Sequence, residues 1–207
     1  PFSPGGFDRT AHSGTTLNWL TMDMDGDAKP DLVWTTDPTP EKVWAAGTAP
    51  HWKVFMNSGT GGFAASPTTH AVPNNPFNPK GFYQPYSFTK PHSWTTMDLD
   101  GDKRMDLIWT MDPSTSKVWG VGTAPHWKVF KGGAAGFSST PHVWSVPANA
   151  FYPAGFNEAY YASGGQVWTT MDITGDLRPD LLWTSDPSTS KVWGVGKTDH
   201  WKVFVNK

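Results

Sequence analysis

Three stretches of this chain set oxygen-bearing side chains at alternate positions. TMDMDGDAKPDLVWT (21–35) carries Asp23, Asp25, Asp27 and Asp31, and TMDLDGDKRMDLIWT (96–110) carries Asp98, Asp100, Asp102 and Asp106. The third, TMDITGDLRPDLLWT (170–184), has Asp172, Thr174, Asp176 and Asp180. Counted from the first Asp, these are positions 1, 3, 5 and 9, and the carbonyls of Lys29, Arg104 and Arg178 stand at position 7. A tight loop turns its odd positions inward, so this spacing can supply most of the six to eight oxygens calcium takes, with water completing the shell. Carboxylates held this close without a cation repel one another and raise one another's pKa values, a conflict that a divalent ion removes. Two to three calcium ions per chain are expected, the third bound more weakly because Thr174 replaces an acid. The plainer alternative is an Asp-rich turn capped by its own backbone amides.

The loops sit in larger units that must position them. The motif PF-x-P-x-GF opens at Pro1 (PFSPGGF), returns at Pro76 (PFNPKGF) and, with Ala for the first Pro, at Ala150 (AFYPAGF). The chain therefore reads as one repeat domain over 1–207 with units 1–75, 76–149 and 150–207, the third truncated soon after HWKVF. Within each unit, runs of about five residues such as DLVWT, KVWAAG and HWKVF are rich in Val and Trp and bounded by Asp-Pro and Gly signals, which is strand chemistry. No stretch sustains helical periodicity over a dozen residues. An all-β, β-propeller-like tandem repeat follows. Propellers typically have four to eight blades, so three units close through dimerisation, through doubled blades or within a longer protein.

The acidic loop is not an EF-hand: position 12 is Trp34, Trp109 or Trp183 rather than Glu, and position 6 is not Gly. D-M-D-G-D-A-K-P-D-L, followed by a strand, resembles instead the calcium loop of FG-GAP or VCBS repeats, D-x-N/D-G-D-G-x-x-D-L. It departs at position 6, where Ala28, Lys103 and Leu177 replace the usual Gly. HWKVFMNSGTGGF is similar to the family's V-x-x-N-x-G-x-G-x-F ending. The resemblance implies an integrin-type propeller with structural calcium, and it extends to mushroom lectins that bind N-acetylglucosamine-type sugars between blades.

Twelve of the 13 Trp fall at repeated positions, with Trp144 alone outside. Leu32 and Trp34 share one strand face, which points that Trp into the core. Trp44, Trp119 and Trp193 precede small-residue turns, and Trp52, Trp127 and Trp201 follow His51, His126 and His200. Aromatics beside His and polar turns are the ingredients of a sugar-stacking site, and core packing is the equal alternative. Asp37, Asp112 and Asp186 precede Pro, where Asp opens turns; sugar-hydroxyl acceptance is the sharper reading.

Composition trims the function classes. A net charge of -2 argues against nucleic acid, and no apolar run approaches the roughly 20 residues of a membrane span. With no cysteine, disulfides and thiolate chemistry are excluded. Of 18 acids, 11 lie in the loops and three in the Asp-Pro turns, leaving Asp8, Glu41, Glu158 and Asp199 without a paired catalytic arrangement. Neither G-x-S-x-G nor H-E-x-x-H occurs. The sequence thus points to a calcium-stabilised, multivalent glycan-binding protein, a lectin, in an extracellular setting. A non-catalytic protein-binding or adhesion module is the alternative, and a polysaccharide-active enzyme the third reading.

Overall fold

The computed structural model describes residues 19–37, 39, 42–78, 80–82, 94–148, 155–156, 168–186 and 188–207. They form eleven short strands and no helix, in three antiparallel sheets, as the Val-, Leu- and Trp-rich runs between turn signals require. The first sheet orders β1 (Trp19–Met22), β2 (Asp31–Trp34), β3 (His51–Phe55) and β4 (Thr68–Ala71). The second repeats it with β5 (Trp94–Met97), β6 (Asp106–Trp109), β7 (His126–Phe130) and β8 (His142–Ser145). The third has β9 (Trp168–Met171), β10 (Asp180–Trp183) and β11 (Lys202–Phe204), with β11 at its edge. The all-β, propeller-like tandem repeat is therefore present, and each acidic loop spans a hairpin of identical register: Met22 faces Asp31, Met97 faces Asp106 and Met171 faces Asp180.

Packing divides the chain into two compact bodies. The first comprises Pro1–Ser87, Lys103–Met105 and Phe130–Pro141; the second comprises Phe88–Asp102, Asp106–Val129 and His142–Lys207.

In the first body, Gly136 bridges Ala71 in parallel, and Phe137 lies edge-on to Trp52 and His70 with ring centroids at 5.2 and 5.0 Å. Gly81 and Phe82, from the second PF-x-P-x-GF motif, cover β3: Phe82 is fully buried and its carbonyl accepts the Trp52 indole N–H at 2.8 Å. A Cβ on Gly81 would strike Val43, and its φ of 79° suits glycine, so this residue is glycine for two reasons.

In the second body, Gly155 and Phe156 repeat the arrangement. The Phe156 carbonyl accepts the Trp127 indole N–H at 2.6 Å, and a Cβ on Gly155 would strike Val118. Phe156 also meets Trp183 edge-to-face at 5.5 Å and Phe204 at 6.0 Å, within a core that includes Leu99, Ile108, Val129 and Leu181. The rest of the third motif, from Ala150 to Ala154, and all of Pro1–Phe7 lie outside the described residues.

Candidate metal loops and an indole-lined cleft

At the tip of the β1–β2 hairpin, Asp23, Asp25 and Asp27 can each bring one carboxylate oxygen within 4.8 Å of the others. The chain reaches this geometry by entering the left-handed region twice, at Gly26 (φ 84°) and Ala28 (φ 66°). Loop amides then bind the first Asp: Asp23 Oδ1 accepts from Gly26 N and Oδ2 from Ala28 N, both at 2.8 Å. A cation of the chain's own already touches the cluster. Lys29 Nζ lies 2.7 Å from Asp27 Oδ2 and holds the Asp27 carboxyl below its ordinary pKa.

Asp31 plays a different part. It is buried, its Oδ2 accepting from Met24 N at 3.0 Å and its Oδ1 from Asn57 N at 2.8 Å, so it ties the loop to the end of β3. Burial pushes its pKa up, against the pull of the Asn57 and Met24 amides. Position 9 is thus a staple between loop and strand in copy one, a role that alternation along the loop does not reveal.

In copy two the trio within 4.8 Å is Asp98, Asp100 and the buried Asp106, whose Oδ2 also accepts from Leu99 N at 3.0 Å. The Asp102 amide donates to Asp100 Oδ1 at 3.2 Å, while its carboxylate is not one of the trio. Gly101 and Lys103 repeat the left-handed pair, with φ of 80° and 75°.

Copy three provides no such trio among the described residues. Asp172 instead takes Gly175 N at 2.6 Å, Asp176 N at 3.2 Å and Leu177 N at 2.9 Å. Desolvation works against the Asp172 charge, but these amides and the Thr174 hydroxyl prevail and lower its pKa. Asp180 is the staple again, accepting from Ile173 N, Thr174 N and Asn206 N. Lys29, Arg104 and Arg178 hold position 7, the first with its amide donating to Asp27 Oδ1 and the last with its amide donating to Asp176 Oδ1.

The indoles proposed for sugar stacking are mostly enclosed. Trp52 and Trp127 are 0% and 2% exposed, and Trp44, Trp119 and Trp193 are buried too. The faces of the last three are taken by Lys53, Lys128 and Lys202, each with Nζ 3.3 Å from the ring centroid. Trp34, Trp109 and Trp183 close against them edge-to-face at 5.0–5.1 Å. Such cation–π pairing arises because β2–β3 register sets Lys53 across from Trp34, and the same holds for Lys202 and Trp183. Core packing therefore accounts for these five tryptophans, since a pyranose needs an open indole face. Trp201 differs, at 48% exposed.

The other proposed sugar contacts form turns. Asp112 Oδ1 accepts from Ser114 N and Oγ, Asp186 Oδ1 from Ser188 N and Oγ, and Asp37 Oδ1 from Thr39 N. His51, His126 and His200 share one geometry, Nδ1 lying 2.9, 2.8 and 2.7 Å from the carbonyls of Ala49, Ala124 and Thr198. Facing a carbonyl, Nδ1 must carry the proton, which leaves Nε2 the acceptor of the neutral ring.

A cleft of about 330 Å³ opens in the second body, lined by Trp127, Trp144, Ser145, Leu181, Phe204 and Asn206 among others. Trp144 stands in its repeat where His70 stands in the first, so this lining corresponds to the corner that Phe137 fills over Trp52 and His70. Sequence reading passed over Trp144 because it breaks the repeat. That break was the available signal.

Tandem antiparallel sheets whose leading hairpins carry Asp loops define a propeller-like repeat protein. The model of the FG-GAP-like repeat family matches residues 23–109, from the first acidic loop through β6. No curated protein matches the chain. Among the described residues no helix is long and apolar enough to cross a membrane.

Proposed function

We propose that this chain is a non-catalytic, calcium-stabilised binding module of the adhesion type that works outside the cell. The observation that carries it is the convergence of three carboxylates within 4.8 Å in each of the first two loops. Asp23, Asp25 and Asp27 would hold one ion, and Asp98, Asp100 and Asp106 a second, with the Lys29 and Arg104 carbonyls available to each. The ion supplies charge neutralisation and fixes the hairpin tip; its binding energy adds to folding because the unfolded chain has no such site. The position of the Lys29 ammonium on Asp27 supports a preference for positive charge at that place. Thermal unfolding with calcium and with chelator tests the reading. Calcium should raise the midpoint, Asp25→Asn and Asp100→Asn should each cut the rise, and Thr174→Ala should leave most of it. Equal midpoints with and without calcium would remove the metal from the proposal.

A glycan is the ligand favoured by the cleft, where the Trp144 indole lies beside Ser145 and Asn206. His51, His126 and His200 offer three equivalent acceptors elsewhere, which suits multivalent, weak contacts. A glycan array run in calcium, with Trp144→Ala as control, tests it: the reading predicts signal that the variant loses, and an empty array leaves a protein partner as the ligand.

A further inference from the structure

Lys29 meets both oxygens of Asp27. Its Nζ donates to Oδ2 at 2.7 Å and its backbone N–H donates to Oδ1 at 2.9 Å, so this acid of the first loop already carries a positive charge of the chain's own. That charge answers the whole trio. The Lys29 pKa is raised first by the hydrogen bond to Asp27 and by the Asp27 charge, and then, against desolvation, by Asp25 and Asp23. These are the three carboxylates that converge within 4.8 Å. A dication held by them would stand beside an ammonium already bonded to one of its ligands, at the short range where like charges repel most.

The turn after β3 keeps the lysine there. A Cβ on Gly59 would come within 2.6 and 2.8 Å of Lys29 Cε and Cδ, so the missing side chain leaves the groove in which the lysine stem lies. Asn57 fixes this turn to the acidic loop: its Nδ2 donates to the Pro30 carbonyl at 3.1 Å, its N–H donates to Asp31 Oδ1, and its Oδ1 accepts from Gly59 N at 2.9 Å. Arg178, at the same place in loop three, is aimed elsewhere. Its amide donates to Asp176 Oδ1 as that of Lys29 does to Asp27, but its Cγ lies against Gly101 of loop two, 3.0 Å from where a Cβ there would stand.

We infer, on the footing of the calcium reading above, that the Lys29 side chain is a built-in competitor for the cation of the first loop: its ammonium neutralises Asp27 while no divalent ion is bound, and calcium must displace it to enter. Loop one therefore binds calcium more weakly than its acids alone would, and keeps its shape better without the ion. The Lys29 carbonyl stays available to the metal throughout, so the side-chain charge alone is at issue.

Calcium titration calorimetry on the full chain reads loop one in an Asp100→Asn background, which weakens loop two. Lys29→Met keeps the stem and the carbonyl but removes the charge, and Lys29→Ala removes the stem as well. Both should bind calcium about threefold to fivefold more tightly, the range of an exposed ion pair, and the gain should shrink in roughly 0.5 M KCl. Thermal midpoints check the sign independently. With chelator Lys29→Met should melt below its parent, and in saturating calcium the two should coincide, because the ammonium has then left the site. Tightening by Lys29→Ala alone would mean packing against Gly59 rather than charge, and would overturn the inference. So would calcium binding of unchanged strength in both variants, or a midpoint gap that persists in calcium. If neither parent nor variants bind calcium, the metal reading itself falls and the competitor role with it.

Discussion

The corner at Trp52 and the corner at Trp127 are built from equivalent strands, β3–β4 and β7–β8, yet end differently. Around Trp52, the Phe137 ring closes on both the indole and His70, and the corner is solid. Around Trp127, Trp144 replaces His70, no ring among the described residues occupies the place of Phe137, and a cleft of about 330 Å³ remains. One aromatic side chain, delivered by a loop after the third strand, decides between a filled corner and an open cleft. Phe63 makes the same point, since it is Phe137's repeat counterpart and is 46% exposed.

If the enclosed indoles are core and Trp201 is a surface residue of the single chain, truncation must cost very different amounts. Trp52→Ala should lose about 3–5 kcal/mol of stability, whereas Trp201→Ala should lose under about 1 kcal/mol. Urea unfolding of both variants settles it, and similar losses would erase the distinction.

The His70 corner should also respond to acid in a way the Trp144 corner does not. Burial pushes the His70 pKa down to about 4, and its Nε2 has no hydrogen-bond partner among the described residues. The folded state therefore holds the ring neutral while the unfolded chain, titrating near 6.5, takes up a proton first. The stability contribution is complete above pH 6.5 and drains as pH falls toward 4, by up to about 3 kcal/mol. His70→Phe should flatten the difference between stability at pH 7 and pH 4.5; an unchanged pH profile would place the acid sensitivity elsewhere.

Glycines with the same backbone angle should divide by what surrounds them. Gly81→Ala drives a methyl into Val43 and should cost about 2–3 kcal/mol. Gly175→Ala, at φ 78° with nothing near its Cβ direction, should cost about 1 kcal/mol, the conformational strain alone. Equal losses in calorimetry would mean that strain, not packing, governs both.

The smallest effect belongs to position 6 of the acidic loops. Leu177 and Ala28 hold left-handed φ of 70° and 66° without being glycine. Leu177→Gly should gain about 1 kcal/mol, since the side chain is exposed and relief of strain outweighs the added freedom of the unfolded chain. A loss on substitution would show that loop three is not strained by this residue.

Much of this was legible in the chain itself. Short Val- and Trp-rich runs such as DLVWT and HWKVF, bounded by turn signals, read as strands because their length and β-branched content leave few other options, and the recurring Asp pattern marked the acidic loops. Less legible was which Asp does what. Asp23 and Asp31 look equivalent in spacing, yet Asp31 is a buried staple, because its bonds come from Met24 and from Asn57, far along the chain. The tryptophans of KVW and HW were equally ambiguous: an indole beside Lys or His can stack on a sugar or be stacked upon, and nothing local chooses.

By itself, then, the sequence determined the repeat, the strands and the acidic loops, all products of short-range pattern and turn chemistry. Tertiary structure alone decided that Lys53, Lys128 and Lys202 cap indoles, that Gly81 and Gly155 admit Phe82 and Phe156 over their tryptophans, and that the Trp144 corner stays open. Those outcomes depend on which distant segment arrives at a surface. Burial is a property of the assembled neighbours, and no residue carries it alone.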